Sequence, residues 1–102
     1  MNDWSDAEIS RRLALAIGWP KVYYHRHHDG YYVSVRDGSS IHFNRFDYRN
    51  PAVIWPIAER CNKWPRKEGD VWKCDPTLTE TVSADTAAKA VALAVIGARS
   101  RA

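Results

Sequence analysis

The sequence has few of the features that mark membrane, secreted or metal-binding proteins. No apolar run approaches the roughly 20 residues of a membrane-spanning helix, and the first residues lack the basic and apolar regions of a signal peptide. The two cysteines, Cys61 and Cys74, do not have CxxC spacing. We therefore expect a cytoplasmic protein with free thiols, no membrane association and no disulfide framework.

Motifs for catalysis or cofactor binding are also missing. The sequence has no GxGxxG, Walker loop, GxSxG or HExxH. Carboxylates that could form acid–base pairs are Asp47 with Glu59 and Glu68 with Asp70. Nothing in the sequence shields them from water, so solvated surface charge is the favoured interpretation. Cys61, at an apolar helical position, is typical of a small core residue. We expect no enzymatic activity and no cofactor.

Charge is modest and mixed, whereas aromatic residues are abundant. Fifteen Lys and Arg against 12 Asp and Glu give a net charge of +3, and the 102 residues include five Trp and five Tyr. This charge balance permits contact with nucleic acid, but such binders usually cluster their positive charge. Trp and Tyr dominate both cores and interface anchors. At this length we expect a single globular domain over residues 1–102.

Capping signals predict three helices. The caps and stops are Ser5 with Glu8 and then Gly18, Asn50-Pro51, and Ser83 or Asp85 with an end near Gly97. Pro56 predicts either an early kink in the second helix or a start near that residue. The alanine-rich third helix is apolar nearly all round, which indicates a largely buried helix.

The remaining segments predict antiparallel strands. Asp29-Gly30 favours a two-residue hairpin turn within residues 22–43, with His28 opposite Tyr31. A third strand follows a turn at residues 37–40, residues 63–70 form a loop, and two short strands at 71–74 and 78–82 are broken at Asp75-Pro76. The order α-β-β-β-α-β-β-α predicts an α+β fold. We expect a mainly antiparallel sheet with helices packed on its faces, an α/β/α layered sandwich.

Alternation along the ribbon of residues 22–43 predicts one apolar face and one tyrosine–histidine face. The apolar set is Val22, Tyr24, Arg26, His28, Tyr31, Val33 and Val35, and the opposite set is Tyr23, His25, His27, Tyr32, Ser34 and Arg36. The second set resembles a recognition surface. We predict partner-binding anchors at Tyr23, His25, His27 and Tyr32, with Arg45, Arg49 and Trp64 nearby. If a helix covers this face instead, the tyrosines belong to the core.

Two further interpretations of these residues compete with the recognition surface. His25, His27 and His42 would supply a three-ligand zinc site, but no carboxylate in the ribbon would orient the imidazoles, and we favour no metal. Basic and aromatic residues interleave in two clusters, which are Lys63, Trp64, Arg66 and Lys67, and Arg45, Tyr48 and Arg49. Stacking of bases on Trp64 or Tyr48 would suit a single strand, so nucleic-acid binding is the alternative function.

Several of these segments together resemble the phage ABA-sandwich family of small phage proteins. The segments are residues 6–9 through 16–19, Phe46-Asp47-Tyr48 before the helix start at 50–55, and Val71-Trp72 before the alanine-rich helix at 84–98. Pro56 and the strand at residues 25–28 depart from the family pattern. The resemblance implies a phage or prophage accessory protein with an α/β/α layered fold, and it assigns no catalytic residues because no activity is established for the family. Its expected role is to bind and block a host protein or ribonucleoprotein complex, as anti-defence and anti-CRISPR inhibitors do.

Overall fold

Three helices and six strands are present in residues 4–19, 21–25 and 30–100, the ranges that the computed structural model describes. The elements are α1 (Asp6–Ala16), β1 (Val22–His25), β2 (Gly30–Asp37), β3 (Ser40–Arg45), α2 (Pro51–Cys61), β4 (Arg66–Glu68), β5 (Val71–Thr77), β6 (Glu80–Ala84) and α3 (Ala87–Ser100). α1 packs against β1 and β2, α3 packs against β5 and β6, and α2 packs against α3. The α+β class predicted from the sequence is confirmed.

The strands form two antiparallel sheets of three strands each, in the orders β1-β2-β3 and β4-β5-β6. The expected single sheet is therefore wrong. Residues 66–68, predicted as part of a loop, form β4 and pair with β5 across a turn in which Gly69 has a φ of 64°. The expected break at Asp75-Pro76 is instead an irregularity within β5, between Cys74 and Thr77. A bulge accommodates a proline because the extra residue needs no ladder hydrogen bond.

The first hairpin keeps its predicted faces but not its predicted register. Tyr24 pairs with Tyr31 and His25 with Gly30, so Gly30 belongs to a strand and not to a two-residue turn. The connecting residues 26–29 lie outside the described ranges. The register differs by four positions from that of a His28–Tyr31 pair, and an even shift leaves the faces unchanged. This register brings the Tyr24 and Tyr31 rings to 5.2 Å between centroids.

Helix ends follow side-chain caps. Ser5 Oγ accepts a hydrogen bond from the Glu8 amide at 3.1 Å, as predicted, although the Glu8 carboxylate bonds Arg11 and Arg12 and not the cap. Asn50 caps α2, which starts at Pro51 and continues through Pro56. The predicted alternative, a second helix that begins near Pro56, is therefore wrong. The predicted cap of the third helix, Ser83 or Asp85, is also wrong. α3 starts at Ala87, and the side chain that accepts a hydrogen bond from the Lys89 amide is that of Thr86.

The core lies around α3, which contacts α1, α2, β5 and β6. Its buried residues are Ala90, Val91, Ala92, Ala94, Val95 and Ile96. Alanines allow close approach, and at Gly97 an added Cβ would lie 3.3 Å from the Pro76 Cβ. Ile9 and Leu13 of α1, Ile54 of α2 and Cys74 of β5 complete the interior. The prediction of a largely buried third helix is confirmed.

The molecule is somewhat elongated. Its radius of gyration is 13.9 Å and its extents are 45 × 26 × 22 Å, against about 13 Å for a typical compact domain of this length. Within the three described ranges, the helices lack the combination of length and apolar composition that a membrane crossing requires.

Candidate protein-binding face

The first sheet has an inner face, which α1 covers around Val33 but not at Tyr24 (54% exposed), and an outer face on the opposite side. Val33 pairs with Val22 and Asn44, and it is buried where α1 packs against β1 and β2. The neighbouring row pairs Tyr32 with Tyr23 and Arg45, and Phe43 and Ile41 continue the same alternating set along β3. We call these five residues, Tyr23, Tyr32, Ile41, Phe43 and Arg45, the aromatic face.

Three apolar side chains of the aromatic face are open to solvent, whereas Tyr32 is half-buried. Tyr23 is 38% exposed, Ile41 54% and Phe43 58%. The rings of Tyr23 and Phe43 meet edge to face, with centroids 5.4 Å apart and planes at 88°. Exposed apolar residues are ordinary when scattered, but adjacent ones on one face mark an interaction site. The alternative in which a helix covers the tyrosine face is thereby excluded for Tyr23.

The charge on this side of the sheet is positive. Arg45 is exposed beside Gly30, where an added Cβ would lie only 2.9 Å from the Arg45 Nε. Lys21 Nζ lies 5.3 Å from the centre of the Tyr23 ring, within range of a cation–π interaction. Among the strand positions of this alternating set that the structure describes, none is Asp or Glu. The face therefore offers rings and cations together.

Arg49, predicted as a binding residue, belongs to a polar cluster that fastens α1 to the chain after β3. Arg49 Nε and Nη2 donate to the two carboxylate oxygens of Asp47 at 3.0 and 2.9 Å, and Nη1 donates to Asp6 at 3.3 Å. These hydrogen bonds lower the pKa of Asp47 and raise that of Arg49. The guanidinium is engaged within the protein, so Arg49 is not a free anchor.

Tyr48 is the buried member of the same polar cluster. It is 2% exposed, and its hydroxyl donates to Asp6 Oδ1 at 2.5 Å while its amide donates to Ser10 Oγ at 3.1 Å. Burial, followed by the Asp6 bond, raises the Tyr48 pKa. A ring in this position cannot stack on a nucleic-acid base. The proposed stacking role of Tyr48 is therefore wrong.

Trp64 and its basic neighbours lie elsewhere in the fold. Trp64 is 54% exposed, in the segment between α2 and β4 that leads into the second sheet. Arg66, two residues on, donates to Glu68 at 2.7 Å and to Asp75 at 2.9 Å. The Arg66 guanidinium is thus paired with carboxylates. Trp64 is not part of the aromatic face.

Backbone register separates two of the three histidines of the zinc hypothesis. His25 pairs with Gly30, in the alternating set of Tyr23, whereas His42 pairs with Val35, in the opposite set. His27, predicted as both an anchor and a zinc ligand, lies outside the described residues. In the part of the chain that the structure describes, no three His, Cys, Asp or Glu residues are grouped to hold a metal ion. The alternative of a zinc site on His25, His27 and His42 loses its geometric basis.

The cysteines are free and lie on different elements. Cys74 is completely buried in β5, and burial raises the pKa of its thiol. Cys61, at the end of α2, is half-buried, with its Sγ 3.9 Å from Arg99 Nη2. A buried thiol with a raised pKa is a poor nucleophile. Cys74 is therefore a core residue, as its sequence position indicates.

Ile41 and Phe43 were not identified as binding residues from the sequence. The strand that contains them was predicted, but its residues were not assigned to a face of the sheet. Counting outward from the turn at Gly38, where Asp37 pairs with Ser40, places Ile41 opposite Arg36 and Phe43 opposite Ser34. The same alternation that grouped Tyr23 with Tyr32 would have added both residues. The signal was present in the spacing across this second turn.

Comparison of the chain with protein-family models, with curated proteins and with solved structures gives no match. The resemblance to phage ABA-sandwich proteins therefore stays a prediction from the sequence, and the functional argument depends on the geometry of the aromatic face.

Proposed function

We propose that the protein is a non-catalytic binding module that attaches to a partner protein through the aromatic face. The observation that carries the proposal is the exposed edge-to-face pair of Tyr23 and Phe43, set beside Ile41 on a rigid sheet. Such rings lose little conformational entropy on binding and supply most of the energy at protein interfaces. Because they already hold one another in place, the free face is partly preorganised.

The charge of the face indicates the partner's chemistry. Arg45 and Lys21 stand beside the rings, and the described positions of the face carry no carboxylate. An acidic partner surface with apolar side chains complements this arrangement, because its carboxylates are attracted to the cations beside the rings. Binding would act by occlusion, in which the module covers a surface that its target needs.

We base the target class on the resemblance to small phage proteins together with the tendency of compact phage proteins to bind and block host machinery. A phage or prophage accessory protein of this kind would act in the host cytoplasm on a host protein or ribonucleoprotein complex, as an anti-defence or anti-CRISPR inhibitor. Nucleic-acid binding is the less favoured function, since Tyr48 is buried and Arg49 and Arg66 are paired with carboxylates. An affinity for nucleic acid would fall steeply with salt.

Capture from a bacterial lysate with matched variants tests the proposal. Wild-type protein, Phe43→Ala and Trp64→Ala are immobilised in parallel, with and without nuclease, and captured proteins are identified by mass spectrometry. Phe43 and Trp64 are exposed to similar extents, 58% and 54%, but only Phe43 lies on the aromatic face. We expect Phe43→Ala to weaken capture of a specific complex by about 30-fold, as for an interface hot spot, and Trp64→Ala to leave it unchanged.

The two arms of this experiment separate the functions. Equal loss with both variants, or no loss with Phe43→Ala, would exclude the aromatic face as the binding surface. Capture that disappears after nuclease treatment would favour the nucleic-acid alternative. Circular dichroism of each variant controls for folding.

A further inference from the structure

A second surface lies between α1 and α3, and its lining residues come from these two helices and not from the strands of the aromatic face. It is a groove of about 300 Å³ lined by Arg11, Arg12, Leu15, Ala16, Ile96 and Arg99. Three of its six residues are arginines, and they come from two different helices. The sequence indicates only that Arg11 and Arg12 face water, so the convergence with Arg99 arises from helix packing.

Positive charge is in excess along this groove. Arg11 Nη2 and Arg12 Nε both bond to Glu8 Oε1, at 2.6 and 2.9 Å, so one carboxylate serves two guanidinium groups. Arg99 contacts the Cys61 sulfur at 3.9 Å, which does not neutralise its charge. The three arginines and Glu8 together leave two positive charges at the groove.

Two of the three arginines, Arg11 and Arg12, are held in place before any ligand arrives. The Arg12 guanidinium lies 4.1 Å from the centre of the Trp4 ring, and Arg11 binds Glu8 through two hydrogen bonds. Fixing these long side chains in advance lowers the entropic cost of binding an anion. Nε and Nη2 of Arg11 and Nε of Arg12 already donate to Glu8, so an incoming carboxylate would bind the remaining donors of these two groups and the Arg99 guanidinium.

Apolar surface separates the charges. Leu15 is 41% exposed between the arginines, and Ala16 and Ile96 continue the apolar lining. The volume is at the lower limit of the about 300–1,000 Å³ typical of small-molecule pockets. It therefore fits a few side chains of a peptide better than a whole cofactor. A phosphate backbone has no apolar group to place against Leu15.

We propose that this groove binds a short acidic segment of a protein partner, with carboxylates on Arg11, Arg12 and Arg99 and an apolar side chain against Leu15. The proposal is independent of the aromatic face, because the groove is built by helices and the aromatic face by strands. The two surfaces would give the module two points of attachment.

Isothermal titration with defined probes tests the groove. The probe is a synthetic peptide with two Leu between runs of Glu, and its controls are the same peptide with Ser for Leu and a single-stranded oligonucleotide of equal charge. We expect the Leu peptide to bind more tightly than either control, and Arg99→Glu to weaken it at least about tenfold. Lys89→Glu makes the same change of charge on α3 outside the groove and should alter binding less than about twofold.

Further variants keep the outcome clear. Leu15→Ser should weaken binding of the Leu peptide but not of the Ser peptide, and Phe43→Ala should change neither. Equal effects of Arg99→Glu and Lys89→Glu would show attraction to net charge alone and overturn the proposal. Tighter binding of the oligonucleotide than of the Leu peptide, or no peptide binding at millimolar concentration, would overturn it as well.

Discussion

The two sheets each have three antiparallel strands, yet their outer faces differ, although one apolar residue, Val71, is exposed on the second as well. The first sheet exposes Tyr23, Ile41 and Phe43, while the outer strand positions of the second carry Arg66, Lys73 and Asp75. Both inner faces are apolar, with Val33 and Cys74 buried. The fold therefore requires only the inner faces to be apolar, and the aromatic outer face needs another explanation.

The outer face of the second sheet satisfies its own polar groups. Arg66 bonds Glu68 and Asp75, Lys73 Nζ lies 3.7 Å from Glu68, and the Thr81 hydroxyl donates to Asp75 at 2.7 Å. Charged side chains on a small sheet also discourage pairing with other chains. A charged face of this kind favours solubility. The first sheet lacks such charges where it exposes the rings of Tyr23 and Phe43.

The largest expected effect on stability comes from placing a carboxylate on the inner face of either sheet, and the same change on the outer face is the comparison. Val33→Asp and Cys74→Asp bury an unpaired charge, which should remove most of the about 5–15 kcal/mol of stability that a domain has. Phe43→Asp and Val71→Asp, at exposed positions, should cost about 1 kcal/mol or less. Circular dichroism and urea unfolding of the four variants measure the difference.

The comparison depends on Phe43 behaving like Val71. If Phe43→Asp unfolds the protein, the aromatic face belongs to the core and the binding proposal fails. If it folds normally and loses the partner while Val71→Asp keeps it, the exposure of the rings serves binding and not stability.

Local signals in the sequence predicted much of this fold. Ser5 and Asn50 cap helices because their side chains reach amides two or three residues away, a geometry set by the backbone alone. Strand alternation grouped Tyr23 with Tyr32 correctly even though the register was wrong, since an even shift preserves the face. Features that depend on neighbours in sequence were therefore predictable.

Features that depend on distant partners were not. β4 consists of three exposed charged residues and exists because β5 pairs with it, so no apolar pattern marked it. Tyr48 lies between two charged residues, Asp47 and Arg49, which is typical of a surface position. It is buried because it contacts Asp6 and Ser10 of α1. The groove at Arg99 likewise requires the packing of α1 beside α3.

An intermediate effect is expected where the chain after the first sheet is fastened to α1. Tyr48→Phe removes the hydrogen bond to Asp6 and should lower the free energy of unfolding by about 1 kcal/mol near neutral pH. Because the folded state raises the Tyr48 pKa, wild-type stability from this group is complete below the unfolded pKa of about 10 and falls as pH rises above it. Urea unfolding between about pH 7 and about pH 11 measures both effects.

Tyr24→Phe is the matched control, since it makes the same substitution at a tyrosine that is 54% exposed, in β1 of the first sheet. The alkaline loss of stability should be smaller in Tyr48→Phe than in wild type and unchanged in Tyr24→Phe. An identical alkaline decline in all three proteins would mean that other groups cause it, and that Tyr48 does not couple stability to pH.

The smallest effect is expected from the ion pairs on the outer face of the second sheet. Arg66 lowers the pKa of Asp75 and of Glu68, so their contribution is present above the unfolded values near pH 4 and is lost as pH falls through the lower folded values. Because all three groups are open to solvent, Arg66→Ala should change stability only slightly, and about 1 M salt should remove the difference. A double-mutant cycle with Asp75→Ala in low and high salt isolates the pair. A large coupling energy that persists in salt would mean that these ion pairs hold β4 in place. The outer face of the second sheet would then stabilise the fold as well as favour solubility, in contrast to the outer face of the first sheet, which we propose binds a partner.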